Sequence, residues 1–227
     1  MKDIEKDVNG SIRLVFFGDS ICVGQGISIH KGWVTRISAM LEDMGHDVGQ
    51  EMLIENASVS GNTTRQALER MAYQVQSHGV DLMLVQFGMN DCNHWESDKG
   101  LPRVCKEAFR ANLQEIIARG RRFGARRVIL NTNHPTTRTE VLMPGEELTY
   151  QQSNEIYNQI VRDVAADEKT ILNDVEKHFF NEISEGKTQV SDCVLKDGLH
   201  LSEKGHDLYF KVAAPLIEET IREAFFS

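Results

Sequence analysis

The sequence of 227 residues lacks the features that mark secreted, membrane-spanning and nucleic-acid-binding proteins. Residues 1–7 are mostly charged and are not followed by the apolar h-region of a signal peptide, so we expect no secretory signal. No apolar run approaches the length of a membrane span. The net charge of −9 disfavours nucleic acids and anionic membranes as partners, because both attract basic protein faces.

Cysteine is scarce and is not arranged for disulfides or metal binding. The four cysteines have no CxxC spacing, and a chain of this size does not need disulfides, so we expect reduced thiols in a cytoplasmic protein. His200 and His206 have no other ligand at zinc-like spacing, which predicts no metal site. The glycines Gly24 and Gly26 begin a dinucleotide fingerprint, but Ile29 stands where its third glycine belongs. We therefore expect no cofactor.

The sequence also lacks internal repeats and low-complexity segments. With 41% hydrophobic residues, the chain can bury one full core, and we expect a single domain over residues 1–227. The oligomeric state is left open, and a homo-oligomer is compatible with the sequence.

What the sequence does contain is a regular alternation of apolar strand patterns and amphipathic helix patterns. Such alternation predicts an α/β domain of three layers, with a doubly wound, five-stranded parallel sheet between two layers of helices. The predicted strands are residues 12–17, 52–57, 81–87, 128–130 and 170–172.

Several residues are expected to begin or end helices. Gly45 is predicted to end the first helix, Thr63 to form a capping box with Gln66, and Ser202 to cap the last helix. A further helix is expected from about Pro102, and a long loop is expected over residues 134–147.

The first strand stops at Gly18 and delivers Ser20 to the edge of the sheet where ligands bind in such folds. A serine nucleophile needs an imidazole to take its proton and a carboxylate to orient that imidazole. Asp197 and His200, three residues apart, suit these roles. Each residue also has a simpler explanation, because Asp-Ser is common turn chemistry and His200 precedes a capped helix.

Acyl transfer also requires donors for a developing oxyanion. The backbone amides of Ser20 and Gly61 and the side-chain amide of Asn90 follow three different strands and are candidates for these donors. Taken singly, Gly61 is equally explained as a turn glycine and Asn90 as a residue that caps a loop.

Four blocks in order make the pattern specific: Gly18-Asp19-Ser20-Ile21, Gly61-Asn62, Gly88-Met89-Asn90-Asp91 and Asp197-Gly198-Leu199-His200. Over nearly its whole length the chain resembles the SGNH (GDSL-type) hydrolase family. The resemblance implies a flavodoxin-like sheet and serine esterase chemistry. It implies Ser20 as nucleophile, His200 as base and Asp197 as its orienting group. The implied oxyanion hole is formed by Ser20, Gly61 and Asn90.

The substrate is less defined than the chemistry. Polar loops, together with Trp95 as a platform for a sugar ring, favour a small-molecule ester with a small acyl group, such as acetyl, on a polar or carbohydrate carrier. Asn93, His94, Trp95 and His134 are the candidate substrate contacts.

Two alternatives remain at this point. A lysophospholipase or acyl-thioesterase would use Leu142 and Met143 of the long loop as an apolar lid. An inactive binding module would keep the fold without turnover.

Overall fold

A computed structural model describes residues 10–226, so residues 1–7, on which the expectation of no secretory signal rests, lie outside the described part. The strands are β1 (Ile12–Gly18), β2 (Met52–Asn56), β3 (Leu82–Gln86), β4 (Arg127–Asn131) and β5 (Ile171–Asn173). The helices are α1 (Ser20–Val23), α2 (Trp33–Val48), α3 (Thr64–Met71), α4 (Lys106–Arg122), α5 (Tyr150–Asp167), α6 (Val175–Ser184), α7 (Val190–Cys193) and α8 (Glu203–Phe225). Short 3₁₀ turns cover Ile29–Lys31 and Glu96–Asp98, and a π-helical segment, Ala72–Gln76, follows α3.

The five strands form one parallel sheet in the order β2-β1-β3-β4-β5. This order confirms the predicted doubly wound, flavodoxin-like sheet. The chain leaves β1 toward β2 on one side and returns to β3 on the other, which makes the β1/β3 boundary the switch point where ligands bind in such sheets. The loops after β1, β2 and β3 therefore open at the same edge.

Alternate residues of the strands face the two helical layers. Val15 and Phe17 of β1 pack in the cluster that contains residues of α3, α4 and α5. Leu14 and Phe16 pack in the cluster that contains residues of α2, α6 and α8. Both faces of β1 are thus buried, as the continuous apolar pattern of this strand predicts.

Two predicted helix ends are wrong. Helix α2 continues past Gly45 and ends at Gly49, whose φ of 68° is left-handed. Gly45 is needed for close packing, because a Cβ there would lie 2.5 Å from the carbonyl oxygen of Gln50 and 2.5 Å from Met52. Helix α4 begins at Lys106 rather than near Pro102, and Cys105 is its exposed N-cap.

Other predicted caps are confirmed. Thr63 and Gln66 form the capping box of α3, and the Ser202 hydroxyl accepts a hydrogen bond from the N–H of Gly205 at the start of α8. Pro215 lies inside α8 without ending it.

The described residues hold no helix that is long and apolar enough to cross a membrane. The four cysteines are free thiols, and Cys22, Cys92 and Cys193 are buried.

Candidate active site

Ser20 is the first residue of α1, directly beyond the carboxyl end of β1. Asp19 is the N-cap, and its Oδ1 accepts a hydrogen bond of 3.0 Å from the N–H of Ile21. The chain can turn tightly here because Gly18 has no side chain: a Cβ would lie 2.5 Å from the Cys22 sulfur. This turn aims the Ser20 hydroxyl out of the sheet edge.

The imidazole of His200 lies between Ser20 and Asp197. Its Nε2 is 3.0 Å from the Ser20 Oγ, and its Nδ1 is 2.6 Å from the Asp197 Oδ2. Both distances are those of hydrogen bonds between a nucleophile, a base and a carboxylate. The structure therefore brings together the three residues predicted from the sequence, although 180 positions separate Ser20 from His200.

The turn from Asp197 to His200 holds its own carboxylate. Asp197 Oδ1 accepts from the N–H groups of Leu199, at 2.9 Å, and His200, at 3.0 Å. Partial burial disfavours the charged carboxylate, but the hydrogen bonds from His200 and from these backbone groups outweigh it and hold the pKa of Asp197 below its usual value. A charged Asp197 fixes the tautomer in which the His200 Nε2 can accept the serine proton.

A neighbouring loop supports this turn from behind. The N–H of Thr137 donates to the Gly198 carbonyl at 3.1 Å, and the Arg138 Nε donates to the Asp197 carbonyl at 3.0 Å. His134 Nε2 lies 2.8 Å from the Leu199 carbonyl. Burial lowers the pKa of His134 to about 4, so the ring is neutral, and we assign its proton to Nε2. Residues 134–138 thus fix the turn rather than cover it.

The three candidate oxyanion donors lie beyond β1, β2 and β3. Gly61 has a φ of 79°, a conformation that favours glycine, and nothing within 4 Å of its absent Cβ. Its N–H has no acceptor among residues 10–226. Asn90 Nδ2 donates to the Asp19 Oδ2 at 3.2 Å, and its second hydrogen remains for a ligand.

Two carboxylates beneath these donors are fully buried. Burial is the main cause that raises the pKa of Asp19 to about 7 and that of Asp91 to about 6. Asp91 accepts from the N–H of Thr64 at 2.9 Å and from its hydroxyl at 2.5 Å, which ties the start of α3 to the loop after β3. Both aspartates fix loops by accepting hydrogen bonds from backbone amides.

The four predicted substrate contacts separate into two pairs. His134 is fully buried against Phe179, so its predicted role as a substrate contact is wrong. His94 is 7% exposed and faces Glu146 at 3.9 Å, which leaves little surface for a ligand. Asn93 is half-buried and Trp95 is 48% exposed, so these two remain available.

Sequence reasoning missed the two arginines that organise the loop before α3. Arg70 donates to the carbonyl of Gly18, at 3.2 Å, and to Asn62 Oδ1, at 2.8 Å. Arg103 donates to the carbonyl of Gly61 at 3.1 Å. No motif marks either residue, because these three acceptors lie 8 to 52 positions away from the arginines.

Comparison with known proteins agrees with this architecture. The profile of the GDSL-like lipase/acylhydrolase family matches residues 16–208. The esterase TesA of Pseudomonas aeruginosa is 28% identical over 187 residues, which cover 82% of this chain and 78% of that protein. An arylesterase of Vibrio mimicus is 30% identical over 125 residues, which cover 55% of this chain and only 56% of that protein.

Solved structures share the fold. The acetylxylan esterase Axe2 of Geobacillus stearothermophilus superposes with a TM-score of 0.71 at 20% identity, covering 96% of this chain and 97% of that one. The hydrolase LAE5, from the metagenome of Lake Arreo, superposes with a TM-score of 0.72 at 24% identity, covering 89% of this chain and 94% of that one.

Proposed function

Because the chain belongs to the GDSL-like lipase/acylhydrolase family, we propose that it is a serine esterase that removes a small acyl group, such as acetyl, from a polar or carbohydrate alcohol. The observation that carries the chemistry is the hydrogen-bonded chain from Asp197 through His200 to the Ser20 hydroxyl. A complete chain of this kind also argues against an inactive binding module.

In the first half of the reaction, Ser20 Oγ attacks the ester carbonyl while His200 Nε2 takes the hydroxyl proton. The carbonyl oxygen becomes an oxyanion and accepts hydrogen bonds from the N–H groups of Ser20 and Gly61 and from the Asn90 amide. His200 then passes its proton to the alcohol oxygen as the C–O bond breaks. The alcohol leaves, and the acyl group remains on Ser20.

In the second half, His200 takes a proton from water, and the resulting hydroxide attacks the acyl carbonyl. The same three donors stabilise the second oxyanion. When it collapses, the bond to Ser20 Oγ breaks, His200 returns the proton to that oxygen, and the carboxylic acid is released.

The choice of a small acyl group rests on the polar character of the surroundings. The guanidinium of Arg103 lies 4.3 Å from the ring centre of the exposed Trp95. Together, the aromatic ring and the charged group form an amphipathic surface suited to a sugar. Met143, half of the apolar lid that a lipid esterase would need, is 6% exposed and packs into the core. The fold shared with an acetylxylan esterase is compatible with this choice.

A panel of p-nitrophenyl esters tests the proposal, with Ser20→Ala as the blank. We expect kcat/KM to be highest for acetyl and to fall steeply through butyryl and octanoyl to palmitoyl, because the proposal implies a small acyl site beside Ser20, and methylenes that do not fit there would clash with packed protein. Acetylated xylo-oligosaccharides should also be deacetylated. No hydrolysis of any of these esters would refute the esterase, and a rise toward octanoyl would refute the small acyl pocket.

One observation favours a second candidate, an acyl-thioesterase or lysophospholipase. Val141 is 81% exposed and Leu142 is 55% exposed, on the same loop that contacts the catalytic turn through Arg138. If they cover an acyl chain, Val141→Ser and Leu142→Ser should lower kcat/KM for palmitoyl esters and leave acetyl esters unchanged. Tyr73→Ser, at a side chain that is 78% exposed beyond α3, is the matched control. Unchanged palmitoyl hydrolysis would remove this candidate.

A further inference from the structure

One guanidinium contacts two of the three oxyanion donor residues. Arg103 Nη1 donates to the Gly61 carbonyl at 3.1 Å and to the Asn90 Oδ1 at 3.4 Å. Gly61 follows β2 and Asn90 follows β3, so no backbone hydrogen bond of the sheet fixes one relative to the other. The arginine connects these two residues directly, beside the link that Asp91 makes between the loop after β3 and the start of α3.

Arg103 is itself firmly held. Its N–H donates to the Asn93 carbonyl at 3.0 Å, and the N–H of Val104 donates to the Asp91 carbonyl at 3.1 Å. The Val104 carbonyl accepts from the hydroxyl of the buried Tyr157 at 2.5 Å. The guanidinium lies 4.3 Å from the ring centre of Trp95, a cation–π contact that restricts its rotamer. The guanidinium therefore has a fixed base and a fixed direction.

The Asn90 amide needs such a constraint. In one orientation, the amide points Nδ2 toward the oxyanion and stabilises it. Rotated by 180°, the amide points Oδ1 toward the oxyanion and repels it. The Asp19 carboxyl group accepts from Nδ2 at 3.2 Å, and Arg103 donates to Oδ1 at 3.4 Å, so groups of complementary polarity hold the two ends of the amide.

We propose that Arg103 is a positioning residue for ester hydrolysis, which orients the Asn90 amide and the Gly61 loop before the oxyanion forms. This inference rests on the proposed function, because it assigns a role in the same site. Arg103 acts on the oxyanion through Asn90 and Gly61, which it orients. Its loss therefore lowers the stabilisation of the transition state and leaves binding of the ground-state ester almost unchanged.

The test uses the full chain and an uncharged acetyl ester, so that a loss of charge attraction to the substrate plays no part. We expect Arg103→Ala to lower kcat about 10- to 100-fold, less than the loss of an oxyanion donor itself, with KM within about threefold. Arg103→Lys should recover only part of kcat, because both bonds come from Nη1, and a lysine is shorter and lacks the planar group that stacks on Trp95 and holds that nitrogen in place. Arg110→Ala is the matched control: it removes a partly exposed guanidinium that pairs with Asp163 and Asp167 far from the site.

A double-mutant comparison separates positioning from a general structural effect. Once Asn90 is alanine, Arg103 has no amide to orient, so Arg103→Ala in that background should cost clearly less than it does alone. Equal costs in both backgrounds, an unchanged kcat, or an increase in KM alone would each overturn the inference.

Two measurements keep the outcome readable. Circular dichroism and melting of each variant identify any loss of folding. If Arg103→Ala does not fold, Trp95→Leu removes the ring that supports the guanidinium and should cause a smaller loss of kcat; an acetyl ester without a sugar keeps the other proposed role of Trp95 out of this measurement. A wild-type protein that is inactive on the whole ester panel would refute the proposed function. An active wild type with an unaffected Arg103→Ala would refute this inference alone.

Discussion

The two sides of Ser20 are built on different principles. On one side, the carboxylate of Asp197 is held by the backbone N–H groups of Leu199 and His200, within three positions of it, and is 41% exposed. On the other side, Asp19 is fully buried, and the candidate oxyanion donors Gly61 and Asn90 come from two different loops. The difference shows that one residue type can suit two tasks: in the proposed mechanism the exposed Asp197 stays charged and orients the base, whereas the buried Asp19 fixes loops.

The comparison also indicates how substitutions on each side should affect the site. The turn supplies its own hydrogen bonds to Asp197, so a change there alters chemistry more than folding. The oxyanion side depends on long-range contacts such as those of Arg70 and Arg103, so a change there alters the alignment of several groups together.

Removing the Ser20 Oγ, which lies between the two sides of the site, should have the largest effect on kcat. Ser20→Ala should lower kcat by about 10⁶-fold, the cost of losing the nucleophile in serine hydrolases, while circular dichroism and melting stay unchanged. A fluorophosphonate probe should label Ser20 alone. Retained hydrolysis in this variant, or labelling of another residue, would move the nucleophile elsewhere.

The next largest effect is expected from the exposed aspartate. Asp197→Asn should lower kcat by about 10⁴-fold, because an amide no longer fixes the tautomer of His200. Asp174→Asn is the matched control: Asp174 caps α6 and pairs with Arg162 at 2.8 Å, so its loss should cost ~1–2 kcal/mol of stability and little kcat. If Asp174→Asn proved the more damaging to kcat, Asp174 would be the orienting carboxylate.

The buried Asp19 should make the stability of the protein depend on pH. In the unfolded chain Asp19 ionises near 3.8, whereas its pKa in the folded protein is about 7. Between these values only the unfolded state releases the proton, so wild type loses stability as pH rises. An asparagine at this position does not ionise, so the free energy of unfolding of Asp19→Asn should rise relative to that of wild type as the pH increases from about 4 to 7. The relative gain should reach up to ~4 kcal/mol, at 1.36 kcal/mol for each pKa unit.

Urea unfolding at pH 4.5, 6 and 8 measures this difference. Asp197→Asn is the control. The pKa of Asp197 lies below its usual value, so its contribution to the free energy of unfolding should stay nearly constant across this pH range. A constant difference between wild type and Asp19→Asn would mean that Asp19 ionises in the folded protein as it does in the unfolded chain.

Most of the fold could be predicted because strands and helices have strong local patterns. The apolar run of β1 and the capping box of Thr63 and Gln66 depend on neighbouring residues, and both are confirmed. The errors are at positions that tertiary contacts decide. Gly45 reads as a helix end, yet it is required inside α2 by the approach of Gln50 and Met52.

The candidate site follows the same division. The order of the four sequence blocks indicates Ser20, Gly61, Asn90, Asp197 and His200. By contrast, nothing in the sequence shows that His134 turns away from the cleft to hold the Leu199 carbonyl. Nor does it show that Arg103 bridges Gly61 and Asn90, since that contact exists only once β2 and β3 lie in one sheet.

The smallest of these effects is expected at Asn90, one donor among three. Asn90→Ala should lower kcat by about 10²–10³-fold, ~2.7–4 kcal/mol, with little change in KM, because the amide acts on the oxyanion of the transition state and not on the ground-state carbonyl. Asn93→Ala is the matched control, since it removes a half-buried amide from the same loop and should change KM if it changes anything. A change in KM alone at Asn90 would make it a substrate contact. The oxyanion would then rest on the backbone N–H groups of Ser20 and Gly61, and the contrast between the two sides of Ser20 would reduce to the aspartates.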